Sequence, residues 1–114
     1  MYDPNAPPLT DPPAPKGFQM GSAHSADVAY VFQDGFAQQA APFTSAQRAL
    51  SDKIMRYWTN LARQGSPNGH GEAVWPKYRG GGNGIVQLSP GNVSVMPDYE
   101  AEHHCSFWRS LGQA

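Results

Sequence analysis

The clearest hydrophobic pattern in the chain predicts one long amphipathic helix over residues 45–64. Apolar side chains recur there with the spacing of a single helix face: Leu50, Ile54, Tyr57, Trp58 and Leu61. Thr44 and Gln47 fit a capping box at the start, while Arg63 and Gly65 suit the C-terminal end. A stripe with two large aromatic side chains implies a substantial apolar partner surface.

Proline and turn residues dominate the chain before this helix. Residues 1–16 hold six of the eleven prolines. Because proline fixes its own φ and keeps its predecessor out of the helical region, residues 1–20 are predicted to form an extended loop. A short helix is predicted over residues 26–32, with an apolar face made of Val28, Val31 and Phe32.

After the long helix, the pattern predicts a hairpin and a final helix. The run Gly80–Gly82 lacks the context of a phosphate-binding loop and is interpreted as a flexible connection. Segments 85–89 and 92–96 flank Pro90-Gly91 and predict a β-hairpin. A helix capped by Asp98 is predicted to run to about Leu111. Its apolar side chains are Phe107, Trp108 and Leu111.

Composition indicates one domain, or part of one, with a thin core. Leu, Ile, Val and Phe together make 18 of 114 residues, below the roughly 20% at which a packed core becomes doubtful. We therefore expect the apolar faces to pack against something outside the chain. Net charge is −1 and the basic residues are scattered, which argues against a nucleic-acid or anionic-membrane partner. No apolar run is long enough to predict a transmembrane helix.

Few residues suggest metal or redox chemistry. Cys105 is the only cysteine, so neither an internal disulfide nor a multi-cysteine metal site is expected. His103 and His104 precede it directly, and adjacent helical residues point in different directions, so we interpret all three as surface and packing residues. The N-terminus has no signal-peptide pattern. We expect the chain to start within a longer protein, which leaves a cytoplasmic or a secreted location open. The tryptophans are interpreted as core residues rather than a ligand platform: Trp58, Trp75 and Trp108.

Three blocks of sequence, in order, resemble the C-terminal end of the type-B carboxylesterases, which include cholinesterases and bacterial para-nitrobenzyl esterases. Residues 21–32 (GSAHSADVAYVF) resemble the histidine loop of that family. Residues 50–68, followed by Trp75-Pro76-Lys77-Tyr78, are similar to its Trp-Thr-Asn-Phe-Ala, Gly-Asp-Pro-Asn and Trp-Pro-x-Tyr segments. The hairpin followed by residues 105–108 (CSFW) is similar to its closing helix. Departures from the family pattern are Ser25 for Gly, Leu61 for Phe and Ser66 for Asp.

The resemblance implies an α/β fold, with residues 1–114 as the C-terminal part of a single α/β-hydrolase domain. Residues 1–20 would be its proline-rich loop and residues 21–114 the family-like segment, comprising the histidine loop, long amphipathic helix, β-hairpin and terminal helix. His24 would be the catalytic histidine, since the triad runs Ser, acid, His along the chain. No Gly-x-Ser-x-Gly occurs, so nucleophile and acid are expected upstream. Asp27 is interpreted as holding the loop or capping the short helix.

The function implied is that of a carboxylic ester hydrolase, a serine esterase acting on a carboxylic ester without cofactor or metal. The chain would be a fragment that needs the missing N-terminal part of the esterase and is inactive alone. A non-catalytic, esterase-like interaction module remains the alternative. Cys105 resembles one half of a cholinesterase disulfide, whose partner would lie outside this chain, and a free buried thiol is equally open.

Overall fold

A computed structural model describes Gly17, residues 25–33 and residues 42–112. Apart from Gly17, the predicted proline-rich loop over residues 1–20 lies outside the described residues. Within the described ranges the chain forms four helices and a two-stranded sheet. In chain order these are α1 (Val28–Phe32), α2 (Ser45–Gln64), β1 (Val86–Ser89), β2 (Asn92–Val95), α3 (Tyr99–Glu102) and α4 (Cys105–Ser110). None of the helices in these ranges is long and apolar enough to cross a membrane.

Helix α2 has the ends that the sequence predicts. The Gln47 amide donates to the Thr44 hydroxyl oxygen at 3.2 Å, and the Thr44 amide donates to Gln47 Oε1 at 2.9 Å. These bonds satisfy N–H groups that have no acceptor inside the helix. At the other end Gly65 takes a left-handed conformation with φ 71°, and its amide donates to the Leu61 carbonyl at 2.9 Å. The predicted helix and both caps are confirmed.

The core lies along one side of α2. Leu50, Ile54 and Tyr57 of the predicted stripe are buried. Leu50 and Ile54 form a cluster with α1 and the preceding Phe43, and the hairpin residues Leu88 and Val93 pack partly buried against this cluster. Trp58 and Leu61, further along the stripe, are each 44% exposed. The described residues therefore cover only three of the five side chains of the stripe.

Helix α1 is present, but of its predicted apolar face only Val31 packs, partly buried, against the core. Val28 is exposed and Phe32 is 69% exposed, whereas Ala26, Ala29 and Tyr30 are buried. The small alanines allow α1 to approach α2 closely, and the Tyr30 ring stacks on Phe43 with a centroid distance of 4.5 Å. A helix of five residues is too short for apolar spacing alone to choose its buried side.

The hairpin is confirmed, with each strand one residue shorter than predicted. Strands β1 and β2 pair antiparallel from Val86 opposite Val95 to Ser89 opposite Asn92, so Pro90-Gly91 is a two-residue turn. Gly91 has φ 77°, a value that favours glycine. The register places Leu88 opposite Val93, which explains why both side chains reach the core together.

The predicted single terminal helix is wrong, because it divides into α3 and α4. His104 has φ 50°, and a left-handed residue cannot continue a right-handed helix. Arg109 of α4 donates to both carboxylate oxygens of Glu100 in α3 at 2.8 and 3.1 Å, which links the two short helices. Asp98 lies at the start of α3 but makes no side-chain capping bond.

The glycine run forms a hydrogen-bonded turn rather than a plain flexible connection. The Arg79 amide donates to the Asn83 carbonyl at 3.3 Å, and the Asn83 amide donates to the Gly80 carbonyl at 3.1 Å. Gly84, which ends the turn, has φ 88°, and a Cβ atom there would lie 2.7 Å from the Lys77 carbonyl oxygen. The turn thus brings the chain before β1 close to the backbone at residue 77.

Candidate active-site segment

The proposed catalytic His24 lies outside the described residues, which resume at Ser25. Residues 25–27 form a turn that leads into α1, and the Val28 amide donates to the Ser25 carbonyl at 3.1 Å. Ser25 itself has φ 67°, a left-handed conformation that costs a non-glycine residue about 1–2 kcal/mol. Glycine, which the family pattern described above has at the position of Ser25, would adopt this conformation without that cost.

Asp27 occupies the start of α1 but does not cap it with its side chain. Its carbonyl accepts hydrogen bonds from the Tyr30 and Val31 amides, both at 3.0 Å. The carboxylate is exposed and makes no capping bond. The predicted position at the helix start is therefore confirmed, whereas the predicted side-chain cap is wrong.

Two side chains of α2 hold α1 in place. The Ser51 hydroxyl donates to the Tyr30 carbonyl at 2.6 Å, and both residues are fully buried. The last carbonyls of a helix receive no amide donor from within that helix, and this bond gives the buried Tyr30 carbonyl a hydroxyl donor. At the end of α1 the Gln33 side-chain amide donates to Asp52 Oδ1 at 2.7 Å. The segment after His24 is thus fixed at both a buried and a half-buried point.

The loop after α2 is held by the side chain of Asn68. Asn68 Nδ2 donates to the Trp75 carbonyl at 2.9 Å, and the Trp75 amide donates to Asn68 Oδ1 at 2.6 Å. This places the Trp75 ring edge-on to Tyr57, with centroids 5.2 Å apart, and roughly parallel to Trp58 at 6.5 Å. The two motif segments that contain Asn68 and Trp75 are therefore physically coupled.

Tyr57 links the same loop to the buried face of α2. Its hydroxyl donates to the Ala73 carbonyl at 2.8 Å. Burial, assisted by the nearby Glu72 carboxylate, raises the pKa of the Tyr57 hydroxyl above its ordinary value. The neutral, hydrogen-bonding form is therefore favoured at all physiological pH values. Glu72 also pairs with the guanidinium of Arg56 on the outer side of α2.

The described residues alone do not fully bury any of the three tryptophans that the sequence predicts as core residues. Trp75 is half-buried against α2, but Trp58 and Trp108 are exposed over about half of their surface. Together with Phe107 and Leu111, Trp108 gives α4 an uncovered apolar face in the described ranges. The sequence shows that these side chains are apolar, but their burial depends on which other residues pack against them.

The residues that suggested metal chemistry do not converge. Across residues 25–33 and 42–112, no three His, Cys, Asp or Glu side chains come together as a metal site would require. The His103 ring packs on Tyr99 with centroids 4.3 Å apart, and Cys105 is a half-buried free thiol. A hollow of about 90 Å³ lies between α2 and the hairpin turn, beside Lys53 and Val93. That volume is far below the roughly 300 Å³ of a typical small-molecule site.

Sequence reasoning missed the residues that fix the segment after His24. Ser51 follows Leu50 and precedes Ile54 on the buried side of α2, with no exposed surface. A small polar residue inside an apolar stripe was the available signal, since a buried hydroxyl needs an acceptor. The partner, the Tyr30 carbonyl 21 positions earlier, could not be read from the pattern.

Comparison with known proteins places the chain in a family. The model of the carboxylesterase family matches residues 1–108. Acetylcholinesterase 1 of Caenorhabditis briggsae is 29% identical over 105 residues, covering 80% of this chain and 16% of that protein. Carboxylesterase 4A of Bos taurus is 30% identical over 93 residues, covering 82% and 16%. Cocaine esterase of Homo sapiens is 39% identical over 59 residues, covering 52% and 11%.

The matches cover most of this chain but only a small part of each relative. The chain spans 16% of the length of the first of these relatives, so the matches concern one region of much longer proteins. The family match nevertheless covers almost every residue of this chain. Such membership implies the α/β-hydrolase fold. The chain belongs to the carboxylesterase family.

Proposed function

We propose that this chain is the C-terminal part of the α/β-hydrolase domain of a serine carboxylic ester hydrolase, with His24 as its general acid and base. The observation that carries the proposal is the histidine-loop block, residues 21–32, inside a family match that spans residues 1–108. A histidine near the C-terminal end fits the order Ser, acid, His of this fold. Residues 21–114 then make up the family-like segment and residues 1–20 a proline-rich approach to it.

In this mechanism His24 moves one proton in each half-reaction. It takes the proton of the serine hydroxyl as the serine oxygen attacks the ester carbonyl carbon, and gives it to the departing alcohol. It then takes a proton from water as the water oxygen attacks the acyl-serine ester, and gives that proton to the departing serine oxygen, which releases the acid and restores the serine hydroxyl. Imidazole suits both transfers because its ordinary pKa lies near neutrality. Serine, triad acid and oxyanion-hole donors would all come from sequence upstream of residue 1.

The substrate class proposed is a carboxylic ester. Relatives are named as acetylcholinesterase, cocaine esterase and carboxylesterases, and each of these names describes hydrolysis of an ester. The hollow beside the hairpin measures about 90 Å³, which is too small for a typical small-molecule ligand. We therefore assign the acyl and alcohol pockets to the upstream part of the domain. The N-terminal part of the esterase is accordingly the essential partner of this chain.

The decisive experiment replaces His24 by Ala in the full-length carboxylesterase that carries these residues. Turnover should fall by about 10⁴-fold or more with folding unchanged, because proton transfer is needed in both half-reactions. His70→Ala is the matched control, since His70 is exposed in the loop after α2 and should leave turnover unaffected. A His24→Ala enzyme with a tenth of the wild-type activity would show that the assignment of His24 is wrong.

A second experiment tests the dependence on the upstream part. The 114-residue chain alone should not hydrolyse para-nitrophenyl acetate in a His24-dependent way, because free imidazole offers only solution-like catalysis. Saturable turnover that disappears in His24→Ala would contradict this. If the polypeptide preceding residue 1 has no Gly-x-Ser-x-Gly, the alternative of a non-catalytic, esterase-like interaction module would replace the enzyme.

A further inference from the structure

The bond between Ser51 and Tyr30 joins the long helix to the segment that follows His24. Tyr30 is fully buried, its ring stacks on Phe43 at 4.5 Å, and its carbonyl accepts the Ser51 hydroxyl at 2.6 Å. Phe43 immediately precedes the cap residue of α2. Both the backbone and the ring of Tyr30 are therefore tied to the N-terminal half of α2.

The Ser51 hydroxyl bonds across to another element, although its own helix offers an acceptor. The contrast is Thr59 on the exposed side of α2, whose hydroxyl donates to the Met55 carbonyl of the same helix at 2.8 Å. A hydroxyl in a helix commonly bonds back in this way. The Ser51 hydroxyl bonds to α1 instead. Removing this bond should therefore weaken the packing of α1 against α2 without affecting the hydrogen bonds within α2.

Only three residues separate His24 from the first residue of α1 along the chain. Ser25, Ala26 and Asp27 form the intervening turn, which is closed by the bond from the Val28 amide to the Ser25 carbonyl at 3.1 Å. Ala26 is buried, and the Asp27 carbonyl is bonded to the Tyr30 and Val31 amides. A displacement of α1 would therefore pass directly to the backbone adjoining His24.

We propose that Ser51 is a positioning residue for His24: by fixing Tyr30, it holds α1 and the turn at residues 25–27 that directly follows His24 in the chain. This inference rests on the proposed role of His24. The Gln33 to Asp52 bond of 2.7 Å is a second, half-buried tie acting in the same sense. Catalysis depends on sub-ångström placement of acid and base groups, and a misplacement of about 1 Å costs on the order of 100-fold in rate.

The test is a double-mutant cycle in the full-length carboxylesterase that carries these residues, with para-nitrophenyl acetate as substrate. Ser51→Ala should lower kcat by about 10- to 100-fold with a much smaller change in KM. In the His24→Ala background, Ser51→Ala should change the residual rate by less than about twofold, because the residue through which it acts is gone. Thr59→Ala, which removes a hydroxyl from the same helix, should leave kcat unchanged.

Hydrogen exchange of the backbone amides tests the same inference without relying on activity. Hydrogen exchange of the α1 amides should accelerate in Ser51→Ala and not in Thr59→Ala, since only the first loses the tie. If Ser51→Ala does not fold, Asp52→Ala removes the half-buried tie and enters the same cycle, with a smaller fall in kcat expected.

Each outcome bears on the inference. Equal losses from Ser51→Ala with and without His24 would show that Ser51 supports the structure generally, and the inference would fail while His24 kept its role. The inference would also be overturned if Ser51→Ala had the same kcat as Thr59→Ala. The same holds for Asp52→Ala if that variant replaces Ser51→Ala in the cycle. If His24→Ala alone leaves activity intact, the proposed function fails first, and the inference fails with it.

Discussion

Replacing Asn68 by Ala should release the loop that carries Trp75. The change removes both hydrogen bonds between the Asn68 side chain and the Trp75 backbone, which measure 2.9 and 2.6 Å. Both residues are half-buried, so water replaces the lost partners only in part. At about 0.5–1.5 kcal/mol for each bond, the local opening free energy should fall by about 1–3 kcal/mol.

Hydrogen exchange of the Trp75 amide in the full-length carboxylesterase measures this directly. A loss of about 1–3 kcal/mol corresponds to exchange faster by about 5- to 150-fold, given that about 1.4 kcal/mol equals a factor of ten. Asn68→Asp keeps the acceptor for the Trp75 amide but sets a carboxylate oxygen against the Trp75 carbonyl, so it too should accelerate exchange. Asn92→Ala, at an exposed position of β2, is the matched control and should not.

The reasoning would be refuted by an Asn68→Ala protein whose Trp75 amide exchanges at the wild-type rate. Tryptophan fluorescence gives an independent check, because the Trp75 ring lies against Tyr57 and Trp58 and should become more solvent-exposed. An unchanged emission maximum together with unchanged exchange would mean that ring packing alone holds the loop.

Three further predictions concern stability. Ser25→Gly should raise the free energy of unfolding of the full-length protein by up to about 1.5 kcal/mol. Relief of the left-handed strain is worth about 1–2 kcal/mol, against an entropic cost of glycine of about 0.5–1 kcal/mol. A lower denaturation midpoint would contradict this. Because burial raises the pKa of Tyr57, its contribution to stability is complete below about pH 10, the ordinary pKa of tyrosine, and is lost as pH rises through the folded value. Tyr57→Phe should therefore flatten the fall in unfolding free energy above pH 10, and an unchanged slope would count against it. The isolated 114-residue chain should show weak near-UV circular dichroism and no sharp thermal transition, because apolar side chains such as Trp58 and Phe107 lack cover within the described ranges; a cooperative melt of a monomer would overturn that expectation.

The elements that the sequence predicts best are those specified by local interactions. Helix α2 begins at a Thr44–Gln47 capping box and ends at Gly65, and all three are visible in sequence because each acts within one turn of the helix end. The hairpin is similarly marked by Pro90-Gly91 between two apolar runs. In both cases the residues that determine the structure are neighbours along the chain.

Predictions failed where distant residues decide the outcome. The buried face of α1 depends on how closely Ala29 and Tyr30 approach α2, which no spacing within a five-residue helix reveals. The break at His104 follows from its left-handed backbone. Histidine is enriched in that region, but only a few per cent of non-glycine residues adopt it, so the residue type alone does not predict the break. For the site, the resemblance points to His24. The hydrogen bond from Ser51 to Tyr30 joins residues 21 positions apart, and the sequence pattern does not indicate such a pairing.

The turn that ends at Gly84 sets unequal limits on how this region can vary. Gly84 and Gly91 both have positive φ, yet a Cβ atom at Gly91 would meet nothing within 4 Å, whereas at Gly84 it would meet backbone atoms of Lys77. Asparagine or aspartate tolerates the left-handed region and would be accepted at Gly91. No side chain is accepted at Gly84 unless the backbone at residue 77 moves. Substitutions should therefore be tolerated at the hairpin tip during evolution but not just before β1.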